Sequence, residues 1–258
     1  MAIDISTGQF EGWVAQAFFP FARIGACLMV APVFGARFVQ PRTRVVLAVA
    51  LTALVVPLLP APTVAPFSGE GFVVVAQQLL IGVALGFALQ VVFDSLGLAG
   101  QLLANSMGLS FAFNVDPLRG SSTAALGQLY IILATLVFLS IGGHLALIEV
   151  LVQGFKPMPI GATLPAEALW SIVLWGGTLF SGAISIALPG VTALLIVNLA
   201  FGVVSRAAPA LNLFAVGFPV SLVIGLLVVL SGIGPMQESF TKLLEQGFEF
   251  LRSLHGGP

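Results

Sequence analysis

Long hydrophobic runs, separated by short polar stretches, make up most of the chain. Runs without Asp, Glu, Lys or Arg cover residues 45–69, 71–93, 95–115, 120–148, 168–205 and 207–237. A further apolar segment, 13–36, contains one charged residue, Arg23. Because a transmembrane helix needs about 20 apolar residues, the pattern predicts roughly six or seven membrane-crossing helices.

Two of these runs are too long for one plain span and contain helix breakers. A single helix over residues 168–205 would be about 57 Å long, against a hydrocarbon core of about 30 Å. Proline removes a backbone donor and glycine weakens helical order, so Pro189-Gly190 predicts a break or bend. Pro209, Pro219 and Pro235 predict a similar irregularity in the run 207–237.

The stretch 236–254 has an amphipathic pattern instead. Its apolar positions recur at helical spacing with charges between them: Phe240, Leu243, Leu244, Phe248 and Leu251 against Lys242, Glu245, Glu249 and Arg252. This pattern predicts a helix that docks on a partner or lies at an interface.

The composition favours a membrane protein and argues against several other classes. The chain is 59% hydrophobic and 7% charged, with a mean hydropathy of +1.12, whereas a soluble domain carries about 25% charged residues. A net charge of −1 gives no electrostatic basis for binding nucleic acid. Cys27 is the only cysteine, which excludes an internal disulfide and a cysteine metal cluster. We therefore predict an all-α membrane protein.

The charged residues near the N-terminus predict an orientation. Arg37, Arg42 and Arg44 cluster in one short loop, while Asp4 and Glu11 precede the first apolar segment. The positive-inside rule then places the arginine loop in the cytoplasm and the N-terminus outside. Without a basic start, we expect the first segment to be retained rather than cleaved as a signal peptide.

Rows of small residues occur within the apolar runs. Gly82 and Gly86 form a small-xxx-small pair, and Gly100, Ala104 and Gly108 form a longer row. Such rows let helix backbones approach closely where lipid offers no hydrophobic driving force. Packing within the chain and contact with other subunits both explain them. We assign the four glycines to subunit packing as a hypothesis.

An irregular polar segment interrupts the apolar pattern at 105–123. The residues from Asn114 through Asp116-Pro117 to Arg119 have turn chemistry, and phenylalanines precede them at Phe111 and Phe113. A plain solvent loop explains this segment. The alternative is a pore constriction, because irregular backbone at membrane depth must line a cavity or be buried in protein.

Arg206 stands alone between two long charge-free runs. A lone arginine is costly in lipid, so it either reaches the headgroups from a loop or is buried, where it caps carbonyls or pairs with a neighbouring subunit. We predict the buried role. Pro209, Asn212, Phe214 and Pro219 follow on the same predicted packing surface, with Asn198 as a further polar contact.

The residues give only weak support for catalysis. Ser110 and His144 superficially suggest the dyad of an intramembrane serine protease, but Ala112 stands where the nucleophile elbow has glycine. We predict no catalytic residue, no metal site and no cofactor. The main alternative to a structural subunit is a small secondary transporter with a solute site at broken helices around Pro189-Gly190 and Asn198.

Several stretches resemble the FliR family of flagellar type III export-gate membrane proteins. They are Ala31-Pro32-Val-Phe34-Gly35, Ser110-Phe-Ala-Phe-Asn-Val-Asp116-Pro117, Gly142-Gly-His144-Leu, Pro157-Met-Pro-Ile-Gly161 and Arg206-Ala-Ala-Pro209-Ala-Leu-Asn212-Leu-Phe214-Ala-Val-Gly217-Phe218-Pro219. They follow the family's order and cover most of the chain. The last stretch is closer to the flagellar branch than to virulence secretion.

The resemblance implies an architecture and a set of partners. The chain is expected to be a non-enzymatic subunit that assembles with FliP and FliQ into a closed channel in the flagellar basal body of the bacterial inner membrane. Unfolded rod, hook and filament proteins would pass through it, with FlhB and FlhA nearby and rod proteins on the distal side. Long, kinked or broken helical hairpins rich in Gly and Pro would pack into this larger helical assembly.

The resemblance also divides the chain and assigns a plug. Residues 1–165 would form a FliP-like part, and residues 166–258 a FliQ-like broken hairpin that ends in the amphipathic helix. The plug would lie at about 108–122, and the residues carried over to it are Phe111, Phe113, Asn114, Asp116, Pro117 and Arg119.

Overall fold

The protein is represented by a computed structural model that describes residues 7–62, 64–109, 125–207 and 217–254. Within these ranges the chain forms helices and turns and no strand. The helices are α1 (Thr7–Val30), α2 (Pro41–Val55), α3 (Gly69–Ser106), α4 (Ala125–Ser140), α5 (Gly143–Gln153), α6 (Ala166–Trp175), α7 (Thr178–Ala207) and α8 (Phe218–Leu254), with a 3-10 turn, Val56–Leu58, after α2. The all-α prediction is confirmed.

Five stretches of the described chain are long and apolar enough to cross a membrane. They are Glu11–Val30, Pro41–Leu58, Gly69–Ser106, Ala166–Arg206 and Phe218–Leu254. The pair α4 and α5 supplies a sixth, bent by 68°. Gly142 permits this bend because its φ of 74° lies in the left-handed region that favours glycine. Over the described residues, length and composition thus give five spans, or six if the bent pair counts as one, against the six or seven predicted.

Helix α3 joins two runs that the charge pattern separates. It continues through the exposed Asp94 for 38 residues, which corresponds to about 57 Å, or nearly twice the hydrocarbon core. A single exposed carboxylate does not end a helix whose neighbouring turns are apolar and hydrogen-bonded. The two runs 71–93 and 95–115 therefore contribute to one helix rather than to two spans.

The break predicted at Pro189-Gly190 is wrong, while the bend predicted there as an alternative stays a prediction. Helix α7 continues through Pro189, and the interruption between α6 and α7 falls at Gly176-Gly177. Two successive glycines carry no side chain to stabilise a helix, whereas one proline removes one hydrogen bond, which membrane helices tolerate. Gly190 serves close packing instead, because an added Cβ would lie 2.5 Å from Cδ2 of Leu103.

The chain divides into two compact units. Unit 1 consists of Met1–Gln90, Ile141–Trp175 and Gln246–Pro258. Unit 2 consists of Val91–Ser140 and Gly176–Glu245. The division into FliP-like and FliQ-like parts at about residue 165 stays a prediction.

In unit 1, glycines of α3 let this helix approach the backbone of α1. A Cβ at Gly82 would overlap the carbonyl oxygen of Arg23, and one at Gly86 would lie 2.7 Å from that of Cys27. Since backbone atoms cannot move aside as a flexible side chain can, only glycine fits at these positions. Gly82 and Gly86 therefore serve contacts within the chain, and the subunit contacts predicted for them stay a prediction.

In unit 2, Gly100 also makes a contact within the chain, and Gly108 has a role in ending α3. A Cβ at Gly100 would lie 2.6 Å from the carbonyl oxygen of Leu126 in α4. Gly108, at φ 78°, ends α3. The N–H groups of Gly108 and Leu109 donate to the carbonyls of Asn105 and Ala104, each at 3.0 Å, which is the Schellman pattern of a helix C-terminus.

The amphipathic stretch 236–254 is the last part of α8 and packs on its own chain. In unit 2, Phe240 is buried and meets the ring of Phe93 edge-on at 5.3 Å. In unit 1, Phe250 stacks on Trp175 at 4.5 Å. The predicted helix and its exposed charged face are confirmed, but these contacts within the chain take the place of the partner predicted for its apolar face.

The backbone contact at Gly100 gives a stability prediction. Gly100→Ala should lower the free energy of unfolding by about 1–3 kcal/mol, since the added methyl group meets backbone atoms of α4. The matched control is Gly97→Ala, whose Cβ meets only the end of the Ile131 side chain at 3.0 Å. Thermal unfolding in detergent measures both, and equal melting temperatures would contradict the packing described for Gly100.

Candidate functional site

A charged side chain lies at the centre of unit 1. Arg23 of α1 is fully buried. Its Nε donates to Oε1 of Gln78 in α3 at 2.8 Å, and its Nη2 donates to the carbonyl of Met158 at 2.8 Å. A longer bond of 3.4 Å joins Nη1 to the carbonyl of Gly154, and the ring of Phe155 lies 4.2 Å from the guanidinium carbon.

These contacts tie three parts of unit 1 together. Gly154, Phe155 and Met158 belong to the turn that follows α5, while Gln78 belongs to α3. A planar guanidinium holds its N–H donors in a fixed arrangement, so that it can bind several acceptors at once. The face of an aromatic ring attracts the cation in addition. Arg23 thus holds the start of the 154–165 connection against α1 and α3. We call this arrangement the Arg23 clasp.

The pattern of the sequence left the role of Arg23 unassigned. The hydrophobic pattern marks this segment only as an apolar stretch that contains an arginine. The available signal was the general rule that an ionisable residue inside a membrane helix faces protein or water and has a specific partner. Its partners lie 55 to 135 residues away in the chain. Some of them are main-chain carbonyls, which every residue has and which a sequence pattern therefore cannot single out.

A second polar cluster lies in unit 2 at the end of α3. The side-chain amide of Asn198 in α7 donates to the carbonyl of Ser106 at 3.1 Å. The hydroxyl of Ser221 in α8 donates to Oδ1 of Asn198 at 3.0 Å. The predicted polar contact at Asn198 is therefore present, and it fixes the last turn of α3, directly before the segment predicted to be a plug.

Many of the predicted site residues lie outside the described ranges. These are the plug residues Phe111, Phe113, Asn114, Asp116, Pro117 and Arg119 and the packing residues Pro209, Asn212 and Phe214. Arg206 is exposed in the last turn of α7, so the described residues do not provide the burial predicted for it. Pro219 is exposed in the first turn of α8, where its missing N–H costs no helical bond.

Chemical groups for catalysis or metal binding do not converge in the described residues. No group of three His, Cys, Asp or Glu side chains is placed to hold a metal ion in these ranges. Ser110, one member of the weak protease dyad, lies outside them, and His144 lies in the first turn of α5.

The membrane helices differ greatly in how much of their surface the chain covers. Half of the span residues in α1 and α3 are buried, but only 17% of those in α2, in α6 with α7, and in α8. The large exposed side chains include Leu54, Trp170, Phe180, Ile196, Val203 and Leu230. An apolar surface of this extent needs lipid or other protein against it.

Comparison with known proteins decides the family. The model for bacterial export proteins, family 1, matches residues 14–247. Flagellar biosynthetic protein FliR of Pectobacterium carotovorum is 40% identical over 88% of this chain and 87% of its own length. FliR of Escherichia coli K12 is 37% identical over 87% of this chain and 86% of its own length.

The chain belongs to the FliR family of bacterial export proteins. The relationship extends to a distant flagellar FliR, that of Bacillus subtilis, which is 26% identical over 81% of this chain. The matched region of this FliR-family chain contains both the Arg23 clasp and the Asn198 cluster. With its apolar helices, the family assignment makes the chain an integral membrane protein of flagellar biosynthesis and export.

The Arg23 clasp predicts a large effect of one substitution. Arg23→Ala should lower the free energy of unfolding by about 3 kcal/mol or more, because it leaves buried carbonyls without donors. Arg23→Lys should recover only part of the loss, since one ammonium cannot reproduce the fork.

The measurement is thermal unfolding of the purified chain in detergent. Arg37→Ala, at an exposed arginine, is the matched control and should melt like the unmodified chain. A melting temperature for Arg23→Ala equal to that of the control would show that the clasp does not stabilise unit 1.

Proposed function

We propose that the chain is a non-enzymatic core subunit of the flagellar type III protein export gate. With FliP and FliQ it forms the closed channel through which unfolded rod, hook and filament proteins cross the bacterial inner membrane at the basal body. FlhA and FlhB lie nearby, and rod proteins are attached on the distal side.

The family membership and the names of the relatives support this proposal, since the relatives are called flagellar biosynthetic proteins FliR. The observation that carries it is the low burial, 17%, of the spans in α2, α6 with α7, and α8. A subunit completed by neighbours leaves such helices uncovered within its own chain. The close backbone contacts are at Gly82 and Gly86 within unit 1 and at Gly100 within unit 2.

The transporter alternative has lost the feature that suggested it. A solute site of that kind requires unwound backbone whose free carbonyls and N–H groups coordinate the solute. Helix α7 instead continues through Pro189-Gly190, and Asn198 already bonds Ser106 and Ser221. The export subunit is therefore the function that the described residues favour.

The plug assigned to Phe111 and Phe113 belongs to this proposal. Its stem is the end of α3, where Gly108 ends the helix and Asn198 holds the last turn. Bulky apolar rings at a constriction exclude water and ions until a substrate displaces them.

The plug gives a permeability prediction. Replacing both Phe111 and Phe113 by Ala should make cells that contain the assembled gate leak small ions, because the constriction loses its apolar rings. The matched control replaces Phe67 and Phe72, which are exposed outside this segment. Ion flux across the inner membrane is measured in both strains, and unchanged flux in the first would remove the plug assignment.

Arg206 gives an assembly prediction. Arg206→Glu should reduce the yield of complex with FliP and FliQ by about 100-fold or more and abolish motility, since an inverted charge inside a packed interface costs about 3 kcal/mol or more. Arg252→Glu, at an exposed arginine of α8, is the control. Recovery of the complex at the control's level would show that Arg206 remains exposed after assembly.

A further inference from the structure

An open apolar groove runs along unit 1 between α1 and α2. It has a volume of about 550 Å³, and its walls include Val14, Phe18 and Phe21 from α1 and Val49, Ala53 and Val56 from α2. Phe18 is 41% exposed and Val49 is 53% exposed. The proposed function assigns no ligand to this groove.

The groove continues into an apolar stripe that ends at a positive charge. Arg42 precedes Val49 by seven residues, or about two helical turns, so both lie on the same face of α2. Val45 and Val46 fill the interval and are 54% and 68% exposed. The surface thus has exposed arginine at one end and a largely apolar wall beyond it.

Within residues 12–69 every charged side chain is an arginine. Arg37 and Arg42 are exposed, and Arg44 is held by its bonds to the carbonyls of Ala36 and Val39. The sequence contains no Asp or Glu from residue 12 to residue 69. An anionic group is therefore the electrostatic complement of this end, and no acidic side chain of the same segment competes for it.

The length of this surface matches the length of one phospholipid in a single leaflet. From Arg42 to Val56 the helix rises about 21 Å, and half of a bilayer with its headgroups is about 20–22 Å. The positive-inside rule places the arginine end at the cytoplasmic surface, where anionic lipids attract basic residues.

The groove wall is poorly suited to a partner helix. Its one hydroxyl, that of Thr52, already donates to the carbonyl of Ala48, so no polar group is left for interhelical hydrogen bonds. The wall also lacks the glycines that this chain uses where two helix backbones meet. A flexible acyl chain, in contrast, needs neither polar partners nor small residues.

We propose that this surface binds one anionic phospholipid, with its phosphate at Arg42 and Arg37 and an acyl chain in the groove between α1 and α2. The proposal does not depend on the identity of the export partners. It assigns to the arginine loop a binding role in addition to its role in orientation.

The test uses the full-length chain in its native complex, exchanged into bilayers of equal parts phosphatidylglycerol and phosphatidylcholine. Native mass spectrometry then measures the lipids retained after extraction. The unmodified chain should retain phosphatidylglycerol in preference to phosphatidylcholine. Arg42→Gln should lower that preference about fivefold, the equivalent of about 1 kcal/mol for one basic residue, and the control Arg252→Gln should not.

A second pair of variants tests the groove itself. Ala53→Phe fills it and should reduce retention of both lipids, while Leu54→Phe, at an exposed position on the opposite side of α2, should not. A photo-crosslinking residue at Val49 should label lipid. Equal retention of the two lipids by the unmodified chain, no difference between Arg42→Gln and Arg252→Gln, or labelling of a protein from Val49 would each overturn the proposal.

Discussion

Inside the apolar helix α1, the guanidinium of Arg23 must find its hydrogen-bond acceptors within the chain, because the side chain is fully buried. Gln78 and the carbonyls of Gly154 and Met158 supply them. To bring these groups within reach, α1 must lie directly against α3. Gly82 and Gly86 make that approach possible because neither has a Cβ to keep the backbones apart.

Close packing of this kind is confined to part of the chain. Unit 2 repeats the principle at Gly100, with Phe93 meeting Phe138 and Phe240 edge-on. The outer spans are covered very little, and their exposed Leu, Ile and Val side chains give no stability without lipid or protein beside them. The chain therefore combines closely packed helix pairs, held by backbone contacts, with outer surfaces that only a membrane or a larger assembly can cover.

How far the sequence predicts this structure depends on the range of the forces involved. Hydrophobic length predicted the spans, and helical spacing predicted the amphipathic end of α8, since both are local properties. The helix is interrupted at Gly176-Gly177 and not at Pro189, because two successive glycines weaken a helix while a membrane helix tolerates one proline. The role of Arg23 and the intramolecular role of Gly82 and Gly86 depend on contacts across the fold. The hydrophobic pattern of the sequence does not show those contacts, and it does not show whether a partner buries Arg206.

We propose that this FliR-family chain is a single subunit whose uncovered spans are completed by other membrane proteins. The most direct measurement is the intact mass of the complex that carries a tagged copy of the chain, extracted gently from its native membrane. The account predicts one copy of the chain together with several copies of small hydrophobic partner proteins. A monomer or homodimer without such partners would contradict it.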